Sequence, residues 1–241
     1  MSDPSVFDLS DPESNELAML DALAASGVDT SKAWPVDARL DFDSMRSAKH
    51  AAIDLLRAGY NRVRIESDLV PTAIAVIEMV LTADSLSKMR ATLAEFARVR
   101  DGEMVRYVVG SSPLVNVPWK TRASGEAVAD ANPDQQLVDM LFAWDLDMKQ
   151  PIGLITALGF PTEPEALEAA VALIDSDYRE VHLSQADVGP LVEVVAHMTL
   201  KVKEIHDFRI KLLKLAASRG GSWLGTHAVA RPPRIADPPQ P

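Results

Sequence analysis

Apolar and polar residues change period several times along this chain. Val36, Ala38, Leu40 and Phe42 alternate with Asp37, Arg39 and Asp41, the period of two that a strand with one buried face requires. Ala166, Ala169, Ala170 and Leu173 recur at three and four, one face of a helix. Thr162 through Glu165 has the form of a capping box ahead of that helix. Further strands are predicted at Arg62–Glu66, Ala73–Leu81, Met104–Val109, Glu180–Ser184, Leu191–Met198 and Trp223–Val229. Helices are predicted at Glu16–Ala25, Ser85–Arg100, Gln135–Ala143 and Lys203–Ser218, with Gly102 and Gly220-Gly221 supplying stops after the second and fourth.

These patterns occur twice. Displaced so that Leu137 lies on Met19, a shift of 118 residues, the chain aligns with itself without a gap to about Ile65. Ala48, Ala51, Ala52 and Leu55 then fall on Ala166, Ala169, Ala170 and Leu173, and Tyr60 and Val63 on Tyr178 and Val181. One inserted residue later, Arg90, Leu93 and Gly102 fall on Arg209, Leu212 and Gly221. One register kept through elements of different period points to duplication. Each unit reads as a short helix followed by βαββαβ. The fold expected is therefore α+β, two tandem ferredoxin-like plaits. Residues 14–110 form the first repeat, 111–133 a linker with Pro113, Pro118, Gly125 and Pro133, 134–229 the second repeat, and 230–241 a disordered Pro-rich tail.

Within the second unit, Phe160-Pro161-Thr162-Glu163 ends the first strand, Met198 lies in the third, and Gly220-Gly221-Ser222-Trp223 opens the last. In the first, Asp29-Thr30-Ser31-Lys32 precedes a strand ending at Phe42. This pattern resembles the regulator of ribonuclease activity B family, the ribonuclease E inhibitor proteins. The closing segment departs from it, with Leu224 in place of Asp and Thr226 in place of Trp. The first unit departs further, reading Asp101-Gly102-Glu103-Met104. The resemblance implies an acidic, non-catalytic protein that binds and inhibits an endoribonuclease.

Composition narrows the chemistry. In 241 residues there is no cysteine, which excludes disulfides, thiolate metal sites and cysteine nucleophiles. The formal net charge of −11 opposes binding to phosphate backbones or anionic membranes and suits a basic protein partner. No apolar stretch reaches the roughly 20 residues of a membrane span, and the acidic N-terminal residues do not resemble a secretory signal, so a cytoplasmic location is expected. His182 and His197 are placed on the open sheet face with Glu180 and Glu193, but His182 should lie opposite Val192–Val194 rather than His197. They read as a solvated polar face, not a metal site. His206 and Asp207 are adjacent on a helix and do not face each other. No nucleophile elbow, phosphate loop or zinc-protease motif is present. The third strands lack the aromatics that RNA-reading plaits stack on bases. No cofactor, metal or catalytic residue is expected.

Trp34, Trp119, Trp144 and Trp223 read as core or linker packing, with Trp223 also a candidate anchor for a protein partner. The open face of the first strand is charged in the first unit (Asp37, Arg39, Asp41) and small and apolar in the second (Gly153, Ile155, Ala157, Gly159). An apolar face invites cover, by the first unit, by a homodimer or by a partner. Candidate interaction residues are therefore Trp223, Gly221, Ile155 and Ala157. The leading reading is a regulatory protein that masks the basic surface of an enzyme, a ribonuclease if the resemblance holds. Two others stand beside it: a ligand-binding or enzymatic protein with its site between two facing sheets, and an immunity or antitoxin protein against a nuclease.

Overall fold

The structure, a computed structural model, describes residues 12–67, 69–109, 132–143, 151–199 and 201–229. The Pro-rich tail, nearly all of the expected linker with Trp119, and Trp144 lie outside them. The elements run α1 (Pro12–Ala25), β1 (Ala33–Phe42), α2 (Met45–Arg57), β2 (Arg62–Glu66), β3 (Thr72–Val80), α3 (Ala83–Arg98) and β4 (Gly102–Val109). The second half follows with α4 (Pro133–Ala143), β5 (Ile152–Gly159), α5 (Glu163–Asp175), β6 (Glu180–Ala186), β7 (Gly189–Met198), α6 (Val202–Ala217) and β8 (Ser222–Val229). The class is α+β, and the second half repeats the element order of the first.

Local chemistry sets the helix starts. The Ser44 hydroxyl accepts from the Ser47 amide at the head of α2. A reciprocal capping box forms at α3, where Thr82 and Ser85 each accept from the other's backbone amide. At α5 the Thr162 hydroxyl accepts from the Glu165 amide and donates to the Glu165 carboxylate, and Pro164 fits the first turn.

All eight strands form one antiparallel sheet, in the order β4-β1-β3-β2-β6-β7-β5-β8. The halves join edge to edge, β2 against β6. This corrects the expectation of a site between two facing sheets: among the described residues the strands of both halves lie in one sheet, and no second sheet faces it. It also removes the first unit as the cover for the apolar face of β5. Bulges interrupt β1–β4 at Arg39/Leu40 and β5–β8 at Ala157/Leu158, the same place in each half.

The main core runs through both halves. Val36, Leu40, Leu55 and Leu93 belong to it, as do Leu158, Leu173, Val194 and Leu212. Ala48, Ala51 and Ala52 on α2 and Ala166, Ala169 and Ala170 on α5 are buried in the same cluster. Small side chains let these two helices approach closely above the β2–β6 junction. Leu137, Leu154, Ile205 and Ala228 form a satellite core under α4 and α6.

Candidate protein-interaction site

The junction of the halves has local two-fold symmetry. Val63 pairs with Val181, its own counterpart under the shift of 118, while Arg62 pairs with His182 and Arg64 with Glu180. The flanking bonds are counterparts too: the Ile65 amide donates to the Arg179 carbonyl and the Leu183 amide to the Asn61 carbonyl, both at 2.6 Å. Val63 and Val181 point into the core. Strand alternation therefore sends Arg62, Arg64, Glu66, Glu180 and His182 to the opposite, open face.

Those side chains form a charged band. Arg62 Nε donates to Glu180 across the junction at 3.2 Å. Arg64 donates to Asp37 at 2.9 Å and to Glu66 at 3.0 Å, and Arg39 donates to Glu66 at 2.6 Å. Burial pushes the Glu66 carboxyl up, but the hydrogen bonds and charges of Arg39 and Arg64 outweigh it and hold the group below the ordinary range. The Arg64 guanidinium loses water on burial and is nonetheless held above its usual value by Asp37, Glu66 and Glu180. Beyond the junction, His182 Nδ1 lies 3.0 Å from Glu193, and this contact holds the Glu193 carboxyl low. Burial pushes His227 down, with Glu193 opposing. Asp37 Oδ1 is buried without a hydrogen-bond partner. The band is a set of ion pairs with no nucleophile aligned to a base.

Two further ion pairs tie the leading helices down. Buried Glu16 on α1 lies 3.1 Å from Arg90 on α3. Buried Asp134 on α4 accepts two bonds from Arg209 on α6, each at 2.8 Å, and contacts His206 at 3.0 Å. Sequence comparison aligns Arg90 with Arg209. It missed the acids, although Glu16 and Asp134 stand 118 residues apart and carry the same charge. His206 is thereby assigned to Asp134, not to Asp207 beside it.

The four candidate contact residues do not share one surface. Trp223 pairs with Leu158 of the core and packs half-buried, its indole donating to the Thr226 hydroxyl at 3.3 Å. The Arg209 guanidinium lies 5.8 Å from the indole ring centre. Gly221 seats the Phe160 ring: a Cβ there would lie 2.5 Å from Phe160 Cε1 and 2.8 Å from the Gly159 carbonyl. Ile155 and Ala157 are on the other face of β5. Ile155 is only 5% exposed, set between Val195 and His227 on the neighbouring strands. Ala157 keeps some surface.

An acidic cleft of about 370 Å³ opens at the end of β1, lined by Asp41, Asp43, Asp101 and Glu103 with Phe42 and Val70. The matching positions of the second half are Gly159, Pro161, Gly220 and Ser222, so this acidity belongs to the first half alone. Among the described residues, no helix is long and apolar enough to cross a membrane. No three acids or histidines there converge as a metal site.

Residues 14–104 match the family model for regulator of ribonuclease activity B. The match covers the first half from α1 into β4. No curated protein matches the chain.

Proposed function

We propose that the protein regulates a ribonuclease by binding it, with residues 14–104, matched to regulator of ribonuclease activity B, as the observation that carries the reading. The halves act as tandem copies of one ferredoxin-like binding unit in the cytoplasm, without catalysis of their own. The net charge of −11 suits a target surface rich in lysine and arginine, where the protein would compete with RNA. The acidic cleft of the first half adds local complementarity. Of the residues expected to meet a partner, Trp223, Gly221 and Ala157 keep surface for it, while Ile155 is buried. The test is capture by the tagged full chain from its own lysate, followed by an RNA-cleavage assay of the captured enzyme. Retention of a basic ribonuclease at low salt, release at high salt and slower cleavage when the protein is added are expected. Recovery of no ribonuclease at low salt, or cleavage unchanged by saturating protein, overturns the reading.

A further inference from the structure

The two-fold relation at the junction should produce two equivalent grooves between α2 and α5, one on each side of the axis. Only one is open. It has a volume of about 420 Å³ and is lined by Leu56 and Asn61 of the first half and by Glu163, Leu167, Leu183 and Gln185 of the second, among others. The mate of Leu167 under the 118-residue shift is Lys49, and the mate of Gly59 is Asp177. On the mate side, the Lys49 ammonium crosses the junction and binds the Asp177 carboxylate. The chain thus bridges one groove with a lysine that lies along the helix pair and ends on an acid. On the open side it has Leu167 and Gly59 in those places, so the lysine–acid pair of the mate side has no counterpart there.

We infer that the open groove takes a lysine side chain from an apolar segment of a protein partner. Leu167 and Leu183, both half-buried, offer apolar surface for the four-carbon stem and its flanking residues, with buried Leu56 behind them. The ammonium would lie between the carbonyl end of α2, which favours a cation, and Glu163, whose charge offsets the opposing amino end of α5 in the lining. Arg57 in that turn is directed to Asp54 of its own helix at 3.4 Å. The inference rests on the functional reading only in taking the partner to be a protein, not in its being a ribonuclease.

The mate groove supplies the means of testing it. Gly59 has φ +91° and a Cβ there would meet nothing within 4 Å. Asp177 holds the corresponding conformation, φ +70°, so Gly59→Asp is compatible with the backbone. The double variant Gly59→Asp/Leu167→Lys should bridge the open groove as its mate is bridged. The probe is a capped pentapeptide with one lysine between leucines, titrated into the labelled full-length protein, with a glutamate-for-lysine peptide as control. Amide shifts at Leu167, Leu183 and Gln185 are expected with the lysine peptide. Binding should weaken by about tenfold or more for the control peptide, and equally for the double variant. Glu163→Gln, which leaves the groove open, should weaken the lysine peptide alone and keeps the test decisive if the double variant does not fold. No shift at these amides, equal binding of both peptides, or binding untouched by the variants overturns the inference. Ribonuclease capture separates the two readings. Ribonuclease capture without binding of the lysine peptide sinks the groove and leaves the function standing. Peptide binding without ribonuclease capture does the reverse.

Discussion

Gly221 shows how a residue singled out as an interaction candidate can have its primary role beneath the surface. Its missing Cβ leaves room for the Phe160 ring, and Gly102 does the same for Phe42, where a Cβ would also lie 2.7 Å from the Asp41 carbonyl. Each glycine follows a helix and opens an outer strand, so the chain passes directly over the aromatic that ends the first strand of its half. Gly221→Ala should lower stability by about 1–3 kcal/mol through overpacking, read as a shift in the urea midpoint. An unchanged midpoint would mean that the ring moves aside freely. Both glycines were legible in the sequence as helix stops. Their contact with Phe42 and Phe160 was not, because it joins residues about 60 positions apart that only the sheet register brings together.

The leading helices carry the same lesson at the scale of elements. Neither α1 nor α4 announces by periodicity alone where it docks, and each is fixed by a buried acid against an arginine on α3 or α6. Asp134 provides the test. Burial raises its pKa, but the bonds from Arg209 and His206 outweigh that and hold the carboxyl below its ordinary value near 3.9. A depressed folded pKa adds stability above the unfolded value and loses it as pH falls through the folded one. Asp134→Asn should therefore cost about 2 kcal/mol at pH 7, with the gap from wild type closing below about pH 4. Denaturation midpoints across pH 3–7 measure this, and a gap independent of pH would show that the carboxylate charge contributes nothing. The α+β class and most strand positions were readable because alternation and three-four spacing survive in single elements. The docking acids required comparing the halves for charge as well as for apolar pattern.

For the molecule as a whole, the decisive feature is the β2–β6 junction, which no local pattern encodes. Val63 and Val181 read as ordinary core positions, and only their pairing shows that two four-stranded halves become one sheet. Because one core passes through that junction, the halves should unfold together. Reporters near Trp34 and Trp223 should give coincident urea transitions, and separated transitions would mean two independent domains. Arg62→Glu, which sets like charges together at Glu180, should speed amide exchange at residues 62–65 and 180–183, and adding Glu180→Arg should restore it. The junction has the form of a homodimer interface, yet one polypeptide supplies both sides. In a true homodimer any substitution appears at both symmetry-related places at once. Fusion removes that constraint and fixes the stoichiometry of the two faces. A lysine can cross one groove while a leucine leaves its twin open, and four acids can gather on one half while the other has two glycines, a proline and a serine. The protein can thus present two different faces to its surroundings from two halves of like architecture, at a ratio that concentration cannot alter.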